Sequence, residues 1–367
     1  MTLETPVTPP IQSIFLSDGG QTAAGIAEAV AGFIEGAQQT LEIAIYDMRL
    51  TGAAASRILA AVHSVNARGV RVRVVFNQDH ARHIPVPAPP EVDWDLLKRF
   101  GVPFHPISGV PDLMHHKYVV RDAGAPEAEV LTGSANWTDD SWTREENVIL
   151  RVRSAGMAAA YLRDFEDLWE KREVAPTGHF DTDWSEVVGA AGPIRLRPFF
   201  CPGRGPRLVS EMSHRLSTAQ RRVRICSPVL TAGPLLATLT EMGSRPGLDI
   251  AGVYDLTQMS EVQRQWSEDQ HASWKLDAFR SIDRMIPFAG KRSTPYAKGS
   301  VHDFMHAKIL VVDDAVFTGS YNLSHSGEMN AENVLEMENA ALADGFAAFI
   351  DRIIARYPRT TPVETPS

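Results

Sequence analysis

Hydrophobic positions along the chain follow two periodicities, and both patterns occur twice. Apolar residues at helical spacing predict helices, and short apolar runs predict strands. Four elements are predicted in the first part: helix 23–37, strand 41–46, helix 53–66 and strand 70–76. Four more are predicted in the second part: helix 207–220, strand 223–227, helix 234–243 and strand 248–254. Each series is typical of a βαβ unit and predicts an α/β half with a parallel or mixed sheet and helices outside it.

Each half continues with a buried strand and ends with a helix. Runs 115–120 and 306–311 end in apolar residues and predict largely buried strands. Segments 157–171 and 345–357 carry aromatic residues at helical spacing. Glycine and proline are concentrated in a segment between the halves. These signals predict a domain division: halves 11–188 and 207–357, a linker 189–206, and disordered tails 1–10 and 358–367.

The two halves share residues as well as a pattern. Three blocks form the repeat: 114–117 with 305–308, 132–136 with 318–322, and 146–149 with 332–335. The first block recurs after 191 positions (115 to 306), and its register persists from Asp122 to Asp313. The other two recur after 186 positions (134 to 320), because the first half has five additional residues (191 minus 186) in its 123–129 turn. The chain is therefore interpreted as an internal duplication.

Composition and charge narrow the choice of partners. Of 367 residues, 44% are apolar, which is sufficient for a large core. A net charge of -9 excludes a surface that is basic throughout, so a polyanion would have to be held by a local patch. Cys201 and Cys226 are too few for a disulfide framework. The sequence shows neither a secretion signal nor a transmembrane segment, so we expect a cytoplasmic location and no stable membrane insertion.

A His-x-Lys pair opens both of the predicted motif strands. Because side chains alternate along a strand, His115 projects with Lys117 and His306 with Lys308. One such pair alone would fit a coincidental polar edge as well as a functional site. Recurrence of the whole constellation in the same order favours a function.

His-x-Lys-x-x-x-x-Asp followed by Gly-Ser-x-Asn resembles the phospholipase D superfamily, and both copies match at every fixed position. The resemblance covers nearly the whole chain. It implies an α/β fold whose halves pack face to face about a pseudo-twofold axis, with a shared active site at the seam. It also implies a phosphodiesterase that needs neither metal nor cofactor and works as a monomer. Members act on phospholipids, DNA, RNA and other phosphodiesters, so the resemblance does not define the substrate.

A two-step reaction follows from the paired histidines. A neutral imidazole can attack phosphorus to give a covalent phosphohistidine. The opposite histidine can then protonate the leaving oxygen and later deprotonate water. The resemblance favours His115 as the nucleophile and His306 as the acid/base, although the pseudo-symmetry leaves the reverse assignment open.

Other residues of the repeat complete the predicted site. By resemblance, Glu146 and Glu332 would hold the second nitrogen of the histidines, each lying twelve residues beyond its serine (134 to 146, 320 to 332). Asp122 and Asp313 come before turns, where binding turn amides is the ordinary role. The remaining polar residues would bind the phosphate: Lys117, Lys308, Asn136 and Asn322. Ser134 and Ser320 would contact the substrate or support the phosphate pocket or its backbone.

Several other polar or aromatic residues admit simpler interpretations. His302 and His306 have the spacing of a helical zinc pair, but the apolar run after His306 favours a strand, and no third ligand repeats. His80 and His83 are interpreted as loop residues at the surface. His116 should face away from the site. Two aromatic neighbours of the asparagines could each stack on a base or pack in the core: Trp137 and Tyr321.

Three hypotheses of function remain, with a nuclease slightly ahead of a phospholipase D or phosphatidyl transferase. A smaller phosphodiester also stays open as the substrate. The basic loop 290–299 could hold nucleic acid. Segments 85–94 and 285–288 are candidates for apolar loops that meet a lipid surface. A polyphosphate-binding scaffold without activity is the least favoured, because both His-x-Lys sets are intact.

Overall fold

The computed structural model describes residues 9–80, 92–295 and 299–359. Almost all of both predicted tails lies outside these ranges. So do His83 and most of the proline-rich segment 85–94.

A seven-stranded sheet forms the centre of the N-terminal half. In chain order its strands are β1 (Ile11–Leu16), β2 (Thr40–Ile45), β4 (Arg71–Asn77), β5 (Phe104–Ile107), β6 (Lys117–Arg121), β7 (Glu129–Gly133) and β9 (Asn147–Arg153). Their order across the sheet is β1-β9-β7-β6-β2-β4-β5. A short ribbon of β3 (Met48–Arg49) and β8 (Trp137–Thr138) lies apart from this sheet.

An eight-stranded sheet forms the C-terminal half. Its strands are β10 (Ser185–Gly189), β11 (Gly192–Cys201), β12 (Arg222–Ser227), β13 (Asp249–Asp255), β14 (Phe288–Lys291), β15 (Ile309–Val312), β16 (Ala315–Gly319) and β17 (Glu332–Glu338). Their order is β10-β11-β17-β16-β15-β12-β13-β14. Apart from β10, this order repeats that of the first sheet.

The two sheets also agree in strand direction. The pair β2–β4 is parallel and so is its counterpart β12–β13, whereas β2–β6 and β12–β15 are both antiparallel. Each sheet is therefore mixed, and the predicted α/β duplication is confirmed. The predicted helices and strands agree with the observed ones to within a few residues, because their apolar faces are buried where the periodicity placed them.

Helices cover the sheets. They are α1 (Ala23–Glu35), α2 (Gly52–Ala67), α3 (Trp94–Arg99), α4 (Asp139–Thr143), α5 (Ala155–Lys171), α6 (Gly205–Thr218), α7 (Gly233–Met242), α8 (Leu256–Glu268), α9 (Ser273–Met285), α10 (His325–Met329) and α11 (Ala340–Arg356). Thr22, Ser154 and Asn339 cap α1, α5 and α11 by accepting a backbone N–H three residues on. Within the described ranges, no helix combines the length and hydrophobicity needed to cross a bilayer.

One continuous hydrophobic core joins the halves. It contains Tyr118 and Phe165 from the first half and Val311 and Phe346 from the second, all almost fully buried. Across the boundary, the rings of Phe15 and Phe349 stack with centroids 4.5 Å apart. The seam is therefore held by apolar packing, which fixes the two motif loops relative to each other.

The segment predicted to be a linker, 189–206, is instead largely β-structure. β10 and β11 form a hairpin, and β11 pairs with β17 in the position that β1 has beside β9. The glycines that suggested a linker form its tight turn, between Gly189 and Gly192. Buried Ile194 and Leu196 alternate with exposed residues along β11, a strand signal that the flanking Gly and Pro obscured.

Candidate active site

Both motif histidines lie in short loops that cross the seam. The N–H of Met114 donates to Asn77 Oδ1 at 3.0 Å, and the N–H of His115 donates to the carbonyl of Ala331 in the other half at 2.9 Å. Correspondingly, the N–H of Met305 donates to Asp255 Oδ2 at 3.0 Å, and that of His306 to the carbonyl of Glu146 at 3.1 Å.

These seam contacts correct the predicted start of the motif strands. Both strands were expected to begin at the histidines, but β6 begins at Lys117 and β15 at Ile309. The backbone N–H groups of His115 and His306 bond to the opposite half rather than to a neighbouring strand of their own sheet.

Each motif lysine folds back on its own loop. Lys117 Nζ donates to the carbonyl of His115 at 2.7 Å, and Lys308 Nζ donates to that of His306. Lys117 Nζ also lies 4.7 Å from the ring centroid of Tyr46, and that ring contacts His115 with centroids 4.5 Å apart. Tyr46 therefore joins this histidine and lysine on one side of the site.

The histidines of both halves open onto one cleft of about 980 Å³. Asn136 and Asn322 line the same cleft, and within the described structure the buried Oδ1 of each has no hydrogen-bond partner. Helix α8 forms much of another wall, including Gln258. The structure thus brings four residues of the repeat, His115, His306, Asn136 and Asn322, around one opening.

Burial reduces the positive charge of the free site. Burial, followed by the charges of Lys117 and Lys308, holds the pKa of His115 well below its usual range. Burial, Lys308 and Lys117 do the same for the pKa of His306. Burial also lowers the pKa of Lys117 to about 7 and that of Lys308 well below its usual value. An anion in the cleft would favour recharging of these groups, because opposite charges stabilise each other there.

Glu332 holds His115 from the opposite half. Its Oε2 lies 2.9 Å from Nδ1 of the imidazole, and burial raises the pKa of this carboxyl to about 7. An acceptor on Nδ1 places the ring proton there and leaves the lone pair on Nε2. The geometry is that of an oriented nucleophile or base.

Glu146 does not hold His306 as the repeat predicted. It instead accepts from Lys291 Nζ at 2.7 Å and from the hydroxyl of Tyr357. The groups close to His306 Nδ1 are Asn147 Oδ1 at 3.1 Å and Glu145 Oε2 at 3.3 Å. The contact expected of Glu146 is therefore made by its two neighbours.

The serines of Gly-Ser-x-Asn support the backbone and do not line the cleft, contrary to the predicted substrate contacts. Ser134 donates to Asn147 Oδ1 at 2.7 Å and accepts from the N–H of Val148 at 3.0 Å. Ser320 accepts from the N–H of Asn333 at 3.0 Å. Both serines are fully buried, because they tie β7 to β9 and β16 to β17 beneath the site.

Asp122 and Asp313 organise corresponding turns away from the cleft. Asp122 accepts backbone N–H groups from residues 38–40, and Asp313 accepts those of residues 220–222. Both adopt a left-handed backbone conformation, with φ of 54° and 51°. Aspartate tolerates this conformation better than most residues, so one side chain both closes the turn and satisfies its amides.

The other candidate residues have structural surroundings. Trp137 and Tyr321 are buried in the cores of their own halves. His116 faces away from the cleft, between Asn333 Oδ1 at 3.2 Å and Asp164 Oδ2 at 3.0 Å. His80 is partly buried just beyond β4.

His302 lines the cleft together with His306. In the ranges that the structure describes, no group of three or more His, Cys, Asp or Glu side chains is arranged to hold a metal ion.

Two proposed contact segments differ from expectation. In the basic loop, Lys291 is buried in its ion pair with Glu146, and 296–298 lie outside the described residues. In segment 285–288, Ile286 and Phe288 are core residues of the C-terminal half. Segment 285–288 therefore does not present an apolar surface, and of the two cations of the basic loop that the structure describes, only Arg292 is exposed.

Sequence reasoning missed Tyr46, Glu145, Asn147 and α8. Tyr46 gave a weak signal, as a polar aromatic residue just after a buried strand. Glu145 was obscured because its neighbour Glu146 gave the better match to the repeat.

A duplicated mixed α/β fold with two histidines at its seam defines a phospholipase D-like protein. Comparison with family models agrees: the PLD-like domain described for cardiolipin synthase matches residues 30–169 and 212–354. The chain belongs to this family, and hence to the phospholipase D superfamily.

Curated relatives include two mitochondrial cardiolipin hydrolases. The one from Xenopus laevis is 32% identical over 146 residues, which are 40% of this chain and 61% of the relative. The one from Homo sapiens is 28% identical over 125 residues, 34% of this chain and 45% of the relative. The chain thus spans about three-fifths or less of the length of these relatives.

A solved structure with the same fold is phosphatidylserine synthase from Haemophilus influenzae Rd KW20. The match covers 96% of this chain and 87% of the synthase chain, with a TM-score of 0.63 and 15% sequence identity. This likeness extends the shared fold to both halves.

Proposed function

We propose that the protein is a phosphodiesterase that acts through a covalent phosphohistidine, with a glycerophospholipid as substrate. The observation that carries the proposal is the convergence of two histidines, one from each half, on a single cleft, each with a buried lysine folded onto its loop. Two imidazoles can divide attack and proton transfer between them, as the two steps require.

His115 is assigned as the nucleophile and His306 as the acid/base. The Nδ1 of His115 faces Glu332, so its Nε2 is the nitrogen available for attack on phosphorus. The P–O bond to the leaving alcohol breaks as the N–P bond forms, and His306 supplies the proton to the departing oxygen. Water then attacks phosphorus, gives its proton to His306 and releases His115.

The lysines and asparagines stabilise the phosphoryl oxygens. Lys117 and Lys308 carry the positive charge beside the two histidines, and the amides of Asn136 and Asn322 lie on the cleft. Fixed donors in a buried site require little reorganisation as charge develops. They stabilise that charge as a bound metal ion does in other enzymes. Activity is therefore expected to persist in chelator.

The lipid assignment is supported by the cleft and by the relatives. Apolar side chains line part of the cleft, among them Val229, Trp266 and Phe304. The matched relatives are named for cardiolipin hydrolysis. The nucleic-acid hypothesis loses part of its support, because Lys291 of the basic loop is committed to a buried ion pair.

The test compares substrates in the presence of chelator. Purified protein is incubated with cardiolipin vesicles, phosphatidylcholine vesicles, single-stranded DNA, RNA and bis(p-nitrophenyl) phosphate, with His115→Ala as the control. We expect hydrolysis of the aryl diester and of a phospholipid by the wild type alone. Cleavage of nucleic acid without lipid hydrolysis would replace the substrate assignment. Activity only after addition of a divalent metal would overturn the mechanism.

A further inference from the structure

Each half carries a carboxylate and an amide two residues apart in sequence, next to the histidine of the opposite half. The order of the two residues along the chain is exchanged between the halves. At β17, Glu332 contacts His115, and Asn330 Nδ2 lies 3.4 Å from Glu332 Oε1. At β9, Asn147 contacts His306 at 3.1 Å, and its Nδ2 donates to Glu145 Oε2 at 2.9 Å. The carboxylate comes second in one half and first in the other.

A one-residue difference in register produces this exchange. The N–H of Ser134 donates to Val148, fourteen residues on (134 to 148), but that of Ser320 donates to Asn333, thirteen residues on (320 to 333). Gly133 pairs with Ile149, whereas Gly319 pairs with Val334. In three dimensions Asn147 therefore occupies the place of Glu332, and Glu145 that of Asn330.

The seam gives a second, independent indication of the shift. The carbonyl that receives the N–H of His115 belongs to Ala331, and the one that receives the N–H of His306 belongs to Glu146. Glu146 thus occupies the place of Ala331, where its side chain points to Lys291 and Tyr357.

We propose that Glu145 is the positioning carboxylate of His306, and that Glu146, which the sequence repeat would select, serves the seam alone. The assignment of an acid/base role to His306 rests on the proposed function. The arrangement of Glu145, Asn147 and His306 rests on their contacts.

Glu145 lies among charged groups through which it can influence the pKa of His306. Besides His306, it faces the side chains of Ser141 and Asn147, and the nearest cations are Lys308, Lys291 and Lys117. Burial raises its pKa to about 7. In its ionised form it stabilises the imidazolium of His306, so its loss should lower the pKa of His306 and deplete the acid form.

Matched variants separate the two adjacent carboxylates. In the pH profile of kcat, Glu145→Gln should move the high-pH limb, where activity falls, to lower pH by about one unit. This is the size expected for loss of one neighbouring charge. Glu146→Gln should lower the temperature of unfolding but leave the limb in place. The exchanged double variant Glu145→Asn with Asn147→Glu should restore the limb, because it reproduces the order found at Glu332.

Histidine NMR makes the test independent of turnover. In protein with ¹⁵N-labelled histidine, the pKa of His306 should fall in Glu145→Gln by about one unit and stay unchanged in Glu146→Gln. The reverse pattern, or failure of the double variant to restore it, would overturn the proposal. Absence of any phosphodiesterase activity in the wild type would refute the proposed function, while the NMR titration would still decide the role of Glu145.

Discussion

The N-terminal half supplies amides at two points where the C-terminal half supplies carboxylates. Asn77 ends β4 and binds the N–H of Met114, while Asp255 ends β13 and binds the N–H of Met305. In the same way, Asn147 lies at the place that Glu332 has in the other half. The backbone is duplicated, but its charges are not.

This difference shows how one fold can hold two histidines in unequal roles. His115 has a carboxylate directly on Nδ1, whereas His306 has an amide on Nδ1 with a carboxylate beside it. A symmetric pair would give both imidazoles the same affinity for a proton. A two-step displacement needs one that attacks and one that transfers protons, and unequal partners supply that difference.

Replacement of each histidine tests this inequality and should give the largest effect. His115→Ala removes the covalent route, so turnover should fall by about four orders of magnitude or more on every phosphodiester. His306→Ala should retain formation of the phosphoenzyme from a nitrophenyl diester, because nitrophenolate leaves without a proton.

Mass spectrometry after a neutral quench locates the adduct. His306→Ala should show a burst of nitrophenolate and accumulate the remaining nitrophenyl phosphoryl group on His115, since hydrolysis lacks its base. An adduct on His306 in the wild type would reverse the roles. Absence of any adduct would favour direct attack by water.

Stability of the seam depends on the buried pair of Glu146 and Lys291. Both side chains are nearly inaccessible, so replacement of Lys291 leaves the buried Glu146 carboxylate without its cation. Lys291→Met should lower the free energy of unfolding by about 3–5 kcal/mol, measured by urea denaturation. The double variant Lys291→Met with Glu146→Leu should recover most of this loss. A single-variant loss below about 1 kcal/mol would show that the pair does not secure the seam.

The sequence predicted the elements and the shared site because both depend on signals that repeat. Apolar periodicity located the helices and strands, and the recurrence of His-x-Lys and Gly-Ser-x-Asn identified four residues that meet at the seam. Ser134 and Ser320 share that recurrence but support the backbone. Recurrence therefore identifies a common place in the fold, without saying which way a side chain faces.

Register and sheet edges could not be obtained in the same way. The match of Glu146 with Glu332 maximises identity, yet the loop after Ser134 is one residue longer, and only hydrogen bonds reveal that. β11 was missed because its pairing with β17 is distant in sequence and its ends are rich in Gly and Pro. Both errors concern non-local pairing, which local propensity does not encode.

The turns closed by Asp122 and Asp313 test whether the two halves are equivalent, with a smaller expected effect on stability. Asp122 is buried, whereas Asp313 is more exposed, although each accepts three backbone amides. Asparagine tolerates the left-handed backbone, so Asp→Asn changes the charge without straining the turn. Asp122→Asn should cost about 2 kcal/mol of unfolding free energy, and Asp313→Asn about half of that. Equal losses would show that burial does not distinguish the turns.

The smallest expected effect is on the pH dependence of anion binding, which distinguishes Lys117 from Lys308. Tungstate keeps its charge from pH 7 to 9, so changes in its affinity over this range report on the protein. Because the pKa of Lys117 is about 7, the free enzyme loses this positive charge as the pH rises. Ionisation of Glu332 and Glu145, whose pKa values are also about 7, acts in the same direction. Wild-type affinity for tungstate, measured by calorimetry, should therefore fall as the pH rises above 7. The expected fall is about tenfold per pH unit for each proton taken up on binding.

The control is Lys117→Arg, since a guanidinium remains charged throughout this range. It should make the dependence shallower, and the slope that remains should reflect the two carboxyls together with recharging of Lys308 and the histidines. Lys117→Met should bind weakly at both pH values. If Lys308→Arg flattened the dependence as much as Lys117→Arg did, the lysines would be equivalent and the asymmetry of the halves would be confined to the histidine partners. An affinity that did not change between pH 7 and 9 in the wild type would show that Lys117 stays charged in the free site, against the effect expected from its burial.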